Sequence, residues 1–176
     1  MQRRLKGSLC ILSVIALFYS CATIPQGVPV IEKFEKARYL GKWYEVARFD
    51  FAFEKNLNNT TAEYSLREDG KIAVKNRGYN YVTKKWQEAN GKARFKGLDT
   101  RAELEVSFFG PFYAAYNVVA LDKDYKYALV AGSSLKYLWI LSRTKTIPED
   151  VRKNYINIAI ALGYDINKLL WIEHDK

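Results

Sequence analysis

A chain of 176 residues fits one domain, and 49% hydrophobic residues with 15% aromatics supply enough apolar surface for a core, which excludes a disordered chain. The charge of +9 comes from 28 Lys and Arg against 19 acids; the cations are scattered rather than striped, so no nucleic-acid partner is expected, while a solvated surface or an anionic lipid surface fits. Two cysteines, Cys10 and Cys21, and one histidine, His174, near the C-terminus, leave the rest of the chain without a disulfide, a thiol nucleophile, a His-based triad or a two-His zinc site, and no cofactor is expected.

The first segment, MQRRLKGSLCILSVIALFYSC, opens with Arg3, Arg4 and Lys6 and runs apolar from Leu9 to Phe18. A basic start, a short apolar run and small Ser20 predict a secretory signal over 1–20, too short for a span that needs about 20 apolar residues. Cys21 directly after the run resembles a bacterial lipobox, with Phe18 where leucine is usual. Cleavage before Cys21 would leave a lipid-modified N-terminal residue, and several acyl chains anchor stably at about 0.8 kcal/mol per buried methylene. Pro25, Gly27 and Pro29 then mark a tether, so 21–38 is expected to be the lipidated tether and the entry to the folded domain, 39–176.

From Tyr39 the sequence alternates apolar and polar between turn signals. Strands are expected over 42–51, 61–67, 71–80, 85–96, 102–109, 115–122, 126–132 and 137–143, with Asp69-Gly70 as a tight-hairpin signal. Eight strands joined by short turns predict an all-β, up-and-down antiparallel barrel, which leaves no edge exposed; a sandwich is the competing arrangement. A helix is expected over 146–162. Thr146 and Glu149 have capping-box spacing, Val151, Tyr155, Ile158, Ala159 and Leu162 form one stripe, and Gly163 stops it. A single stripe places the helix outside the barrel. Leu169 to Ile172 predicts a short final strand.

Three stretches carry a family resemblance: Gly41-Lys42-Trp43-Tyr44-Glu45, Ser107-Phe108-Phe109-Gly110-Pro111-Phe112, and Tyr137-Leu138-Trp139-Ile140-Leu141-Ser142-Arg143. The chain resembles the lipocalins, specifically the bacterial outer-membrane lipoprotein group close to apolipoprotein D, over about residues 30–174. Where the family often carries Thr-Asp-Tyr, this sequence has Leu135-Lys136-Tyr137. The resemblance implies an eight-stranded barrel with an outer C-terminal helix, a lipid-anchored outer-membrane location, and a fatty-acid or lysophospholipid ligand. It leaves monomer and dimer open.

The chemistry of the signature residues points to structure. Trp43 offers a plug for one end of a barrel, and Arg143 can stack on the indole while its five donors cap exposed carbonyls. If both point inward, strand alternation sends Glu45 and Ala47 inward from the first strand and Tyr137, Trp139 and Leu141 from the eighth. The apolar register adds Ala62, Tyr64 and Leu66; Ile72, Val74 and Asn76; Leu104, Val106 and Phe108; Tyr116 and Val118; and Ala128 and Val130. Small and medium members of this set predict a hollow for an elongated apolar ligand with a polar head.

Glu45 is the outlier, because a bare buried carboxylate needs donors or a proton. Tyrosine hydroxyls, Asn76 or Arg143 are the expected donors, in a structural role; orienting a polar ligand group is the other reading. An ionised Glu45 would repel a fatty-acid carboxylate, so an acid should enter tail-first. Phe51, Phe53 and the 109–114 segment are expected at the mouth, where the aromatics either pack their own loop or form a lip. The leading function is a membrane-tethered carrier of lipidic amphiphiles, with a structural or interaction lipoprotein of filled interior as the alternative. An enzyme is not expected, since no activated nucleophile is assembled.

Overall fold

The computed structural model describes residues 29–176; the signal segment, Cys21 and the start of the tether lie outside the described residues. The strands are β1 (Gly41–Phe49), β2 (Leu57–Leu66), β3 (Ile72–Asn80), β4 (Lys85–Phe95), β5 (Glu103–Ser107), β6 (Ala114–Leu121), β7 (Tyr127–Ala131), β8 (Leu138–Ser142) and β9 (Leu169–Trp171). A helical turn, α1 (Lys36–Tyr39), precedes β1, and one helix, α2 (Glu149–Ala161), follows β8. Consecutive strands from β1 to β8 pair antiparallel, and β8 returns to β1, closing the barrel. The expected all-β barrel with an outer helix and a final strand is the fold observed.

β9 fills a gap. β2 pairs with the lower half of β1, Gly41 to Tyr44, and β9 with the upper half, Ala47 to Phe49. The β9 end bridges both, as Ile172 N–H donates to the Val46 carbonyl at 3.0 Å and Asn59 N–H to the Glu173 carbonyl at 2.8 Å. Backbone groups left unpaired by the divergence of β1 and β2 are thereby satisfied.

β1 also carries a bulge. Glu45 lies opposite Leu141 and Ala47 opposite Ile140, so Val46 is an extra residue. Below it Trp43 and Glu45 point into the barrel; above it the parity is reversed. Val46, Ala47 and Phe49 pack in the cluster beneath α2, and Ala47 therefore does not face the interior as strict alternation predicted. Arg48 takes the inward place instead and is only 2% exposed.

α2 begins at Glu149, later than the spacing suggested, and the Thr146–Glu149 capping box does not form. The Thr146 carbonyl instead accepts the Ser142 and Thr144 hydroxyls in the turn leaving β8. Glu149 and Asp150 in the first turn complement the helix dipole. Tyr155 and Ala159 are buried against Leu129, Leu138 and Ile140 on the outer sheet face, with Val151, Ile158 and Leu162 beside them. Each fully buried aliphatic side chain there contributes roughly 1.5–3 kcal/mol. Leu66, expected inside, is 57% exposed, because the end of β2 runs past the packed layer into the Asp69-Gly70 hairpin.

Candidate ligand-binding site

One end of the barrel is sealed. The Arg143 guanidinium carbon lies 3.8 Å from the Trp43 ring centre. The same group donates to the carbonyls of Lys42, Arg38, Tyr39 and Leu40 at 2.8 to 3.1 Å, and its Nε to Tyr125 at 3.2 Å. The Arg38, Tyr39 and Leu40 carbonyls belong to α1 and its exit, where the turn leaves acceptors without helical partners; Lys42 is in β1 and Tyr125 in the β6–β7 turn. Gly41 has φ +93°, which allows the chain to turn from α1 into β1 beneath that guanidinium. Trp43 is fully buried, donates from Nε1 to the Tyr39 carbonyl at 2.8 Å, and packs with Tyr39 and Phe34 in the lower core.

Above this plug the barrel is hollow. A cavity of about 420 Å³ lies among Tyr39, Glu45, Phe51, Glu54, Ala62, Tyr64, Ile72, Val74, Asn76, Ala93, Leu104, Val106, Phe108, Ala115, Tyr116, Tyr137, Trp139 and Leu141. That falls within the range of small-molecule pockets, and the wall is mainly aliphatic and aromatic. A side chamber of about 220 Å³ under the β2–β4 wall shares Glu45, Phe53, Glu54, Ala62 and Asn76 with it. Gly132 at the rim has no room for a side chain, since a Cβ there would overlap Tyr137, which stacks on Trp139 at 15° between planes.

The floor consists of three tyrosines. The Tyr116 hydroxyl bonds those of Tyr39 (2.6 Å) and Tyr64 (2.9 Å). Burial pushes the pKa of all three up, so the floor stays uncharged. Two links among three hydroxyls use two of three protons, which leaves one donor for the cavity.

The wall holds a buried ionic cluster. Arg48 Nε lies 3.2 Å from Glu45 Oε1 and 3.3 Å from Glu54 Oε2. Thr60 donates to Glu45 at 3.1 Å, and Trp139 Nε1 to Glu54 at 3.3 Å. Arg48 Nη2 also donates to the Glu54 and Leu57 carbonyls, tying the 50–56 loop to β1. Burial raises the Glu45 carboxyl well above its usual range, and the Glu54 charge adds to it against the opposing Arg48. Burial raises Glu54 as well, with Arg48 opposing. Burial and the mutual repulsion of the two carboxyls favour the protonated form at this pair, and the single Arg48 guanidinium opposes that. The hydrogen-bond donor to Glu45 is Thr60 and its ion-pair partner is Arg48, not the tyrosines, Asn76 or Arg143 expected from the sequence. His174 stays outside this cluster, its ring 3.0 Å from the Glu45 carbonyl and edge-on to Tyr44.

Of the residues expected to line a pocket, the structure places Glu45, Ala62, Tyr64, Val74, Asn76, Leu104, Val106, Phe108, Tyr116, Tyr137 and Trp139 around this cavity. Val118 and Val130 join Trp43 in the fully buried lower core without reaching the cavity, and Ala47 lies on the α2 side. Sequence reasoning missed Glu54 and Ala93 in the wall, Tyr39 in the floor and Arg48 behind the wall. Glu54 and Tyr39 arrive on short helical turns flanking β1, for which alternation gives no signal.

A closed antiparallel barrel, plugged at one end, hollow above the plug and flanked by a single outer helix, is a cup of the lipocalin class. Residues 34–174 match the family model described as a lipocalin-like domain, and the chain belongs to the lipocalin family. It is 52% identical over 154 residues to the outer membrane lipoprotein Blc of Escherichia coli K12, covering 88% of this chain and 87% of that one. Apolipoprotein D of Mus musculus is 33% identical over 150 residues, 80% and 77% of the two chains. Among solved structures, tobacco hornworm insecticyanin superposes with a TM-score of 0.67 at 20% identity, over 86% of each chain.

Proposed function

We propose that this protein is a membrane-tethered carrier or store of lipidic amphiphiles, fatty acids or lysophospholipids, in the envelope of a bacterium. The observation that carries this reading is the cavity of about 420 Å³, apolar, plugged below and entered from the opposite end. A hollow of that size stands against the filled, purely structural barrel. The ligand's acyl chain occupies the cup and its head group stays at the mouth, since a deep carboxylate would meet the Glu45–Glu54 pair. Cys21 is the lipid-attachment residue, after a signal over 1–20 and before a tether over 21–38. The name outer membrane lipoprotein, borne by relatives 46 to 52% identical, supports that location.

The test is displacement of a fluorescent fatty acid from the purified protein, with native mass spectrometry of the lipid extracted alongside it. Saturable displacement by single-chain lipids is expected. Failure of every lipid to displace the probe overturns the reading.

A further inference from the structure

Four loops meet at the open end of the barrel, because the β1–β2, β3–β4, β5–β6 and β7–β8 connections of an up-and-down barrel all lie opposite the plug. They expose large apolar side chains. Phe112 is 78% exposed, Phe109 70%, Val82 62%, Tyr81 46% and Phe53 43%. Other aromatics of the same segment are used: Phe108 lines the cavity and Tyr113 lies under the Arg94 guanidinium. Phe109 and Phe112 stand out from the loop on either side of Gly110-Pro111, so packing of the loop itself does not account for them.

These side chains form one surface. Phe53 and Phe109 touch edge to face, with ring centres 6.2 Å apart. The β3–β4 tip is joined to the 50–56 loop, where Tyr81 donates from its backbone N–H to the Asn56 carbonyl and from its hydroxyl to the Asn56 side chain. The exposed charges of the rim are Lys55, Lys84, Lys85 and Lys136 against Asp50, with Glu54 buried. The plugged end differs. Its apolar residues, Leu66 and Leu98, are accompanied by paired charges, Asp69 with Arg67 and Lys71, Lys36 with Asp99, and Lys126 with Asp124.

We propose that the open rim is a docking surface for an anionic lipid bilayer, with Phe109 and Phe112 entering the interface and the four lysines engaging the head groups. Exposed aromatics ringed by mainly positive charge combine apolar burial with attraction to anionic lipid, the pairing that holds peripheral proteins at a membrane interface. The chain outside the structure allows this geometry: from Cys21 to Pro29 it reaches roughly 30 Å when extended. Strands of 9 to 11 residues are of similar length, so the mouth can face the membrane that holds the anchor. Docked in this way, the cavity opens onto the bilayer. This contact goes beyond the lipid anchor and does not depend on which ligand the cup holds.

Sedimentation of the mature chain from residue 22 onward, which lacks the signal segment and Cys21 and so is unacylated, with unilamellar vesicles tests it. Binding is expected to vesicles of equal parts phosphatidylglycerol and phosphatidylcholine, with weaker binding to phosphatidylcholine alone. The pair Phe109→Ser and Phe112→Ser should lower partitioning about tenfold or more. Lys84→Glu with Lys85→Glu should cost about as much on the anionic vesicles, less in high salt. Leu66→Ser with Leu98→Ser at the plugged end should bind as the parent does, and unchanged thermal unfolding of each variant shows that the fold is kept. No binding of the parent to the anionic vesicles, or binding that survives both rim pairs, overturns the proposal.

Discussion

Arg48 shows how one side chain couples the barrel wall to the mouth. Its guanidinium serves two buried carboxylates and two loop carbonyls at once. Arg48→Met leaves Glu45 and Glu54 facing each other without a cation, and a loss of about 3–5 kcal/mol is expected in urea unfolding. Glu45→Gln should be mild, because a neutral amide removes the repulsion between the two carboxyls and keeps an acceptor for Thr60. The pH dependence separates the two. Both carboxyls are raised by burial, so the folded protein keeps a proton that the unfolded chain has already released. Their stabilising contribution is full below the ordinary carboxylate range and is lost as pH rises through the raised range. Urea midpoints of the parent should therefore decline as pH rises above the ordinary carboxylate range, with a flatter profile in Glu45→Gln. Equal slopes would remove the proton from this site. None of this was legible from alternation. Trp43 and Glu45 could be placed inside from the sequence because they lie below the bulge, whereas Arg48, above it, reads as an outward residue.

The α2 stripe was legible because it is long and periodic, and because its partners Leu138 and Ile140 alternate with inward-facing Trp139 and Leu141. The bulge at Val46 left no such mark. Its effect is to deliver Val46 and Ala47 together to the face beneath the helix. A second bulge at Val119 similarly brings Val119 and Ala120 there. Short side chains at these contacts allow a close approach of helix to sheet. Ala159, 1% exposed, is the tightest point on the helix side. Ala159→Leu should thus overpack the contact and cost about 1–3 kcal/mol. The α2 face and the cavity lie on opposite sides of the sheet, so fluorescent fatty-acid displacement should be unchanged in the folded variant. A shift in displacement would mean that the helix transmits strain through β8 to Trp139.

At the scale of the molecule, the barrel contains two kinds of interior. The lower part is packed solid around Trp43, with Val118, Ala128 and Val130 fully buried, while the upper part is left unfilled. Sequence alone could mark inward residues but not the level at which packing gives way to space, which is why Val118 and Val130 were read as lining. The boundary is the tyrosine layer, whose hydroxyl links need three side chains brought together from α1, β2 and β6. A solid base beneath a void separates stability from capacity. Ala62, on the wall beside Asn76 and Tyr64, is therefore the site to fill. Ala62→Trp projects a large apolar side chain into space that holds no protein atoms, so it should fold with a thermal midpoint at or above the parent's. It should also weaken lipid binding about tenfold or more, since an indole occupies much of a cavity of about 420 Å³. Loss of fold would show that the upper barrel has no spare room, and undiminished lipid binding in a folded variant would place the ligand elsewhere on the molecule.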